Sequence, residues 1–291
     1  MPLVHVLMEN DMARILVTGA RRGIGREITL ILGRAGHEVI ASMRDPSGCD
    51  LANIAAQEGL AISLAALDVD DDASVAALFA KPSMVSVDVL INNAGILSMN
   101  ALEDESLATM QAVMNTNFFG PVRCMKAVIP AMRERGSGLI INISSISGRM
   151  AIFAQSAYGP SKFALEAVSE IAAQELAPFG VRVALVEPDI TATDMTMADL
   201  PQPRADSDYA SGRRMLALNA DSDKATPPAM VAGAVLDIVS GRNTAFRTPV
   251  GYNAQMFIDM RARMGDAAWI GMNDTLDDGE FVARMTAAMQ G

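Results

Sequence analysis

The sequence predicts an α/β fold: one doubly wound parallel sheet covered by helices on both faces, followed by a C-terminal helical extension. Three observations predict it. Short runs rich in Val, Ile and Leu alternate with segments of helical periodicity from residue 14 to about residue 250. The apolar runs end in Gly, Asn, Ser or Asp, which is how strands buried on both faces of a parallel sheet read. No internal repeat, low-complexity tract or Pro/Gly-rich linker divides the chain. The alternation therefore belongs to a single set of right-handed βαβ units.

The elements follow in order. "RILVTG" (14–19) reads as the first strand and leads through a glycine-rich turn into a helix over 23–35. "HEVIAS" (37–42) and "AISLAALDV" (61–69) are the next two strands, with a helix over 71–80 after them. "VDVLINNAG" (87–95) precedes a long helix across 106–134, and "GLIINISS" (138–145) precedes another over 156–178. "VRVALVEP" (181–188) is the sixth strand. The polar, turn-rich "ADLPQPRADSDYASG" (198–212) then breaks the rhythm and predicts an excursion from the sheet. A helix over 226–240 and a last strand over 244–249 complete a domain spanning 13–250. In the extension, 251–291, the stretches 252–264 and 278–289 have the pattern of amphipathic helices outside the sheet.

Composition narrows the partners. With 291 residues the chain can bury a sizeable core, and 51% hydrophobic with 20% charged residues is a globular balance. A net charge of -11 argues against a nucleic-acid or anionic-membrane surface. Any bound anion must therefore meet a local cluster of positive groups. Cys49 and Cys124 form no disulfide framework, and His5 and His37 lack ligand partners at metal-site spacing, so no metal is expected. The opening "MPLVHVLMENDMAR" lacks the form of a secretory signal, and Met12 is as plausible a start as Met1. No run of about 18 apolar residues exists to span a bilayer. These features predict a reducing, cytoplasmic setting without membrane attachment.

Ligands of open α/β sheets bind beyond the carboxyl ends of the strands. The first strand ends in "TGARRGIG", where Gly19, Gly23 and Gly25 permit a tight turn and close backbone approach around Ile24. The helix that follows offers its positive end to a pyrophosphate, which predicts a dinucleotide site. The second strand ends "ASMRDP", with Arg44 where an acid would serve the ribose 2′-hydroxyl of NAD. Arg44, with Arg22 and Arg21 as partners in a clamp, suits a 2′-phosphate and predicts NADP(H) over NAD(H), although Asp45 stands next door. Asp68 and Val69 end the third strand where a carboxylate meets an adenine amino group. "NNAG" (92–95) brings Asn93, Ala94 and Gly95 close to a ribose. Asn117 lies inside the long helix, where Asn is a poor former and signals a distortion or an inward polar role. Finally, Tyr158 and Lys162 fall on one face at a helix start, and Pro160 is tolerated in a first turn whose N–H groups are unpaired anyway. Alone, that pair is an ordinary i,i+4 contact.

In combination and order, these motifs resemble the short-chain dehydrogenase/reductase family in its compact, single-domain, Rossmann-type branch, over residues 13–250. The family's T-G-x-x-x-G-x-G falls on Thr18, Gly19, Gly23 and Gly25, and its N-N-A-G on 92–95. The resemblance implies Asn117, Ser145, Tyr158 and Lys162 as the catalytic set, Ser145 being selected over Ser144 and Ser147 by its thirteen-residue spacing to the tyrosine. It implies nicotinamide contacts from Pro188, Ile190 and Thr193, in a P-G-x-x-x-T motif whose glycine is here Asp189. The implied activity is hydride transfer between a ketone or aldehyde and an alcohol. Tyr158 serves as acid and base, its pKa lowered by the Lys162 ammonium and the oxidised nicotinamide. The alternative is a silent NADP(H)-binding regulatory or scaffold protein of the same fold; such proteins usually lose the Tyr or Lys, and here all four positions are filled. Met150, Phe153, Met195 and Met197 are expected to line an apolar substrate site. Residues 198–212 and the tail are expected to form a lid, or else a dimer contact. The tail from 244 is similar to that of hydroxysteroid- and retinol-dehydrogenase-like members, and a homodimer or homotetramer is expected through the helices at 106–134 and 156–178.

Overall fold

Seven parallel strands run in the order β3-β2-β1-β4-β5-β6-β7. They are β1 (Arg14–Thr18), β2 (Glu38–Met43), β3 (Ile62–Ala66), β4 (Val89–Asn92), β5 (Gly138–Ile143), β6 (Val181–Pro188) and β7 (Arg247–Val250). The computed structural model describes residues 12–197, 199–219 and 225–290. The alternative start at Met1, His5 and, within the polar excursion, Ala198 lie outside them. The chain winds outward from β1 to β3, crosses back to β4 beside β1, and winds outward again to β7. That reversal between β1 and β4 opens the crevice in which such sheets hold ligands.

Strand periodicity sends side chains to two separate cores. Ile15 and Val17 face α1 (Gly23–Arg34) and α8 (Pro228–Val239), packing with Ile28, Leu32, Val231 and Val235. Leu16 points the other way, joining Leu90, Ile140 and Val183 against Cys124, Val128 and Met132 of α5 (Gly120–Arg135). Both faces being covered, the central strands have no polar side to show and read as continuous apolar runs, whereas the edge strand β3 is only partly buried. The helix α3 (Asp72–Phe79) is capped by Asp71, whose carboxylate accepts from Ala73 N.

Two predicted features changed on folding. The long helix over 106–134 is α4 (Leu107–Met114) joined to α5 through a π-helical turn, Asn115–Phe119. The distortion that Asn117 signalled is this turn. Three helices are additional to the predicted set: α2 (Leu51–Glu58), α7 (Ala210–Asn219) and α10 (Asp266–Gly271). The eight-residue α2 buries only Leu51 and Ala55, too short a stripe to show a helical period. The remaining helices are α6 (Tyr158–Leu176), α9 (Ala254–Arg263) and α11 (Asp278–Gln290). Among the described residues no helix is long and apolar enough to cross a membrane. Cys49 and Cys124 are buried and unpaired.

Candidate active site

The end of β1 is stitched to the end of β4. Thr18 Oγ1 accepts hydrogen bonds from the backbone N–H groups of Asn93 and Ala94 at 3.0 and 3.1 Å. In return Asn93 Nδ2 donates to the carbonyls of Thr18 and Gly19. The glycines make this approach possible. Gly19 has φ +67°, and a Cβ there would lie 2.8 Å from Ala94 Cα. A Cβ on Gly25 would lie 2.4 Å from Asn93 Nδ2. Gly23 meets Thr193 of the loop after β6, which brings the two ends of the predicted cofactor site together. Ile24 turns its side chain into the core, leaving its backbone at the N-terminus of α1. No side chain caps that terminus at Arg22, so its N–H groups are available to an anion.

The charged residues divide their tasks. Arg44 is exposed and makes no hydrogen bond or ion pair among the described residues. Asp45 beside it is turned into its own loop, its carboxylate accepting from Ser47 N and Ser47 Oγ, and those bonds hold it below the usual carboxylate range. Arg21 donates to the carbonyls of Asp45 and Ser47, so its guanidinium lies over the Arg44 loop. Arg22 is directed elsewhere: it ion-pairs with Asp199 and, at 3.5 Å, with Asp194 beyond the nicotinamide motif. The Asp68 carboxylate accepts from Asp70 N, and Val69 is buried against Gly120.

Ser145, Tyr158 and Lys162 converge at the end of β5. Ser145 Oγ lies beside the Tyr158 phenol, donates to Pro188 O at 3.4 Å and accepts from Ser147 N at 3.1 Å. The Ser144 hydroxyl is buried without a hydrogen-bond partner, towards Gly148 and Glu166. Lys162 Nζ is 5.6 Å from the Tyr158 ring centre and donates to Ile143 O at 2.9 Å. Asn117, buried in the π turn, brackets Ile96: its Oδ1 accepts from Ile96 N, while Nδ2 donates to Ile96 O and Ser161 Oγ. Both amide protons are thereby committed. Burial pushes the Tyr158 phenol up to about 12, with the Ser145 hydroxyl opposing it, and lowers Lys162 to about 8. The expected lowering of the phenol is thus absent from the protein by itself, because removal from water outweighs the influence of the Ser145 hydroxyl.

A family model described as short chain dehydrogenase matches residues 13–204. The chain belongs to the short-chain dehydrogenase family. It is 38% identical over 220 residues to retinol dehydrogenase 8 of Bos taurus, covering 72% of this chain and 70% of the other. It is 37% identical over 245 residues to a 3-ketodihydrosphingosine reductase of Bacteroides thetaiotaomicron, covering 81% of this chain and 87% of the other. The solved structure of a short chain dehydrogenase from Burkholderia cenocepacia J2315 in complex with NADP aligns with a TM-score of 0.71 and 26% identity. That alignment covers 92% of this chain and 100% of the other. The protein is therefore an oxidoreductase of a family whose fold binds a nicotinamide cofactor, and its glycine cradle fits one.

In this short-chain dehydrogenase the loop that follows Ser145 is covered largely by residues with no sequence motif. Phe153 and Ile152 meet Met99, Leu97, Met215 and Leu216, with Met215 and Leu216 contributed by α7. Met150 packs with Ile146, Ala254, Phe257 and Trp269, so α9 covers the loop that carries Ser145. Trp269 Nε1 donates to Ala151 O at 2.9 Å. Between these clusters Ala154 has φ +57°, a left-handed conformation that a non-glycine residue adopts at a cost. Met195 and Met197 are half-buried in the loop after β6. Arg214 is the residue that sequence reasoning missed: 3% exposed, it joins α7 to Asp278, Asn273 Oδ1 and Thr275 O of the tail and stacks 4.6 Å from the Phe281 ring centre. Basic pairs such as Arg213 and Arg214 are common on helices, so the sequence carried no signal of it.

Proposed function

We propose that the protein is an NADP(H)-dependent carbonyl reductase and alcohol dehydrogenase for apolar ketones, aldehydes and secondary alcohols. The observation that carries this reading is the nearness of the Ser145 hydroxyl and the Lys162 ammonium to the Tyr158 phenol at the carboxyl end of β5. Gly19, Ile24 and Gly25 would hold the pyrophosphate, Arg44 and Arg21 a 2′-phosphate, and Asp68 and Val69 the adenine. Asn93, Ala94 and Gly95 would face the adenosine side, with Pro188, Ile190 and Thr193 at the nicotinamide. When bound, the nicotinamide supplies or accepts the hydride. Tyr158 gives its phenolic proton to the carbonyl oxygen in reduction and takes it back in oxidation. Ser145 donates a hydrogen bond to the same oxygen as negative charge grows there. Lys162 holds the cofactor ribose and adds positive charge beside the phenol, and Asn117 orders the polar wall through which water returns the proton.

Apolar substrates are supported by the Met, Phe and Ile lining, and by two relatives named for retinol and 3-ketodihydrosphingosine, molecules with long hydrocarbon portions. NADP(H) is supported by the unpaired Arg44, by an Asp45 committed to Ser47, and by a structural neighbour in complex with NADP. One set of kinetics tests the reading: kcat/KM with NADPH and NADH over a panel of ketones, for wild type, Tyr158→Phe and Arg44→Asp. NADPH should be preferred by wild type, and Arg44→Asp should erase the preference. Tyr158→Phe should cost on the order of 10²–10⁴ in kcat with NADPH affinity retained. NADPH binding without turnover of any ketone would instead support the silent, regulatory alternative.

A further inference from the structure

The sequence of this chain departs from the nicotinamide motif at one residue, Asp189 in place of glycine, and the structure shows where that carboxylate goes. It turns away from the cleft. Oδ1 accepts from Thr226 Oγ1 at 2.5 Å, and Oδ2 accepts from Asn253 N at 2.9 Å. Thr226 is itself fully buried, accepts from Tyr252 N at 3.1 Å, and exchanges backbone hydrogen bonds with Ile190 and Ala192 in the nicotinamide loop. Asn253 is the N-cap of α9, whose own side chain does not cap it, so the Asp189 carboxylate meets the positive end of that helix. Room for it exists because residue 251 is glycine: Gly251 has φ +134°, and a Cβ there would lie 2.0 Å from Asp189 Oδ1. Asp189 and Gly251 are complementary, a carboxylate on one strand end filling the space that a missing side chain leaves on the next.

Three segments therefore meet at one carboxylate: the nicotinamide loop, the lead into α8, and the start of α9. The last of these carries Ala254, Phe257 and Ile258 on to Ile146 and Met150, directly after Ser145. We infer that Asp189 is a positioning residue that sets substrate size, by fastening the C-terminal extension to the strand end beside the nicotinamide so that it forms a fixed wall for the far part of an apolar substrate. The wall function rests on the reductase reading above; the fastening does not.

Two measurements on the full-length protein with NADPH test it. In Asp189→Gly, backbone amides over residues 252–263 should exchange hydrogen faster than in wild type, with exchange over the sheet unchanged. The KM for 2-decanone should rise about tenfold, while KM for 2-butanone and kcat for both stay within about twofold. Thr226→Val, which removes one arm of the same junction, should give a smaller change in the same direction, and the double variant no more than Asp189→Gly alone. It carries the test if the glycine variant does not fold. Unchanged exchange at 252–263 overturns the fastening. Equal losses for the two ketones, or an equal loss of NADPH affinity, would assign Asp189 to the cofactor loop and overturn the inference. Wild-type protein that reduces neither ketone refutes the reductase reading, and the exchange data still decide the fastening.

Discussion

Burial acts on Tyr158 and Lys162 in opposite senses, because in each it disfavours the charged form. The phenol is pushed up to about 12 and the ammonium down to about 8. Tyr158 is accordingly protonated throughout the working range in the reductive direction, and the first proton lost on raising the pH belongs to Lys162. In the proposed reduction Lys162 acts as the ammonium, so kcat/KM for a ketone should be level below about pH 8 and fall above it. In Lys162→Arg the charge persists, and the fall should move to higher pH; a fall at the wild-type position would assign the titration to another group. The linkage to stability has the same sign. Between about 8 and 10.5 the unfolded chain binds a proton that the folded chain has released, so this group makes stability rise with pH in that window. At this scale the sequence was most legible where spacing is local. Tyr158 and Lys162 are one helical turn apart, and the turn brings them together whatever the rest of the chain does. Arg22 was not legible, since its partner Asp199 lies 177 positions away and only the fold makes them neighbours.

Helices outside the sheet depend on each other for cover. The tail elements α10 and α11 bury Met272, Phe281 and Met285 with Phe153 and Trp269, and Phe153 meets Phe281 edge to face at 5.4 Å. Arg214 ties α7 to this group, and Arg213 adds a second pair to Asp278 at 2.9 Å. Loss of the Arg214 fork leaves Asn273 Oδ1 and the Thr275 and Asp277 carbonyls without their donor. Arg214→Ala should cost about 2 kcal/mol of stability. Through α7 it should also raise KM for long ketones while leaving NADPH affinity intact. Thermal unfolding and the two KM values check this, and an unchanged Tm would mean that the tail is held without α7. The sequence located α9 and α11 because each carries an apolar stripe along its length. It did not locate α7, where "GRRMLAL" mixes charge and apolar residues, because that helix buries Arg214 and Met215 together against partners from elsewhere.

At the scale of the whole molecule, large apolar side chains of α4, the π turn and α6 stand exposed among the described residues. Leu107 is 75% exposed, Ile171 52%, Phe119 48% and Phe163 40%, side chains that contact between two copies would bury. We expect pairing of two copies through these helices, giving a dimer or tetramer of the 30.8 kDa chain. Sedimentation velocity at micromolar concentration should show it, and Phe163→Glu with Ile171→Glu should return a monomer; a wild-type monomer refutes it. The sequence by itself determined the parallel sheet, the glycine turn, the one-turn spacing of Tyr158 and Lys162 and the amphipathic tail. Each of these is written in spacings within one element or one strand-to-helix turn, where backbone geometry converts a pattern directly into a placement. Only the tertiary structure decided which arginine faces the Arg44 loop, where the Asp189 carboxylate is spent, and that α7 and the tail close over the Ser145 loop. Those outcomes depend on contacts between segments tens to more than a hundred residues apart. Their energy comes from burial and hydrogen bonding that exist only once the sheet has brought the strand ends together.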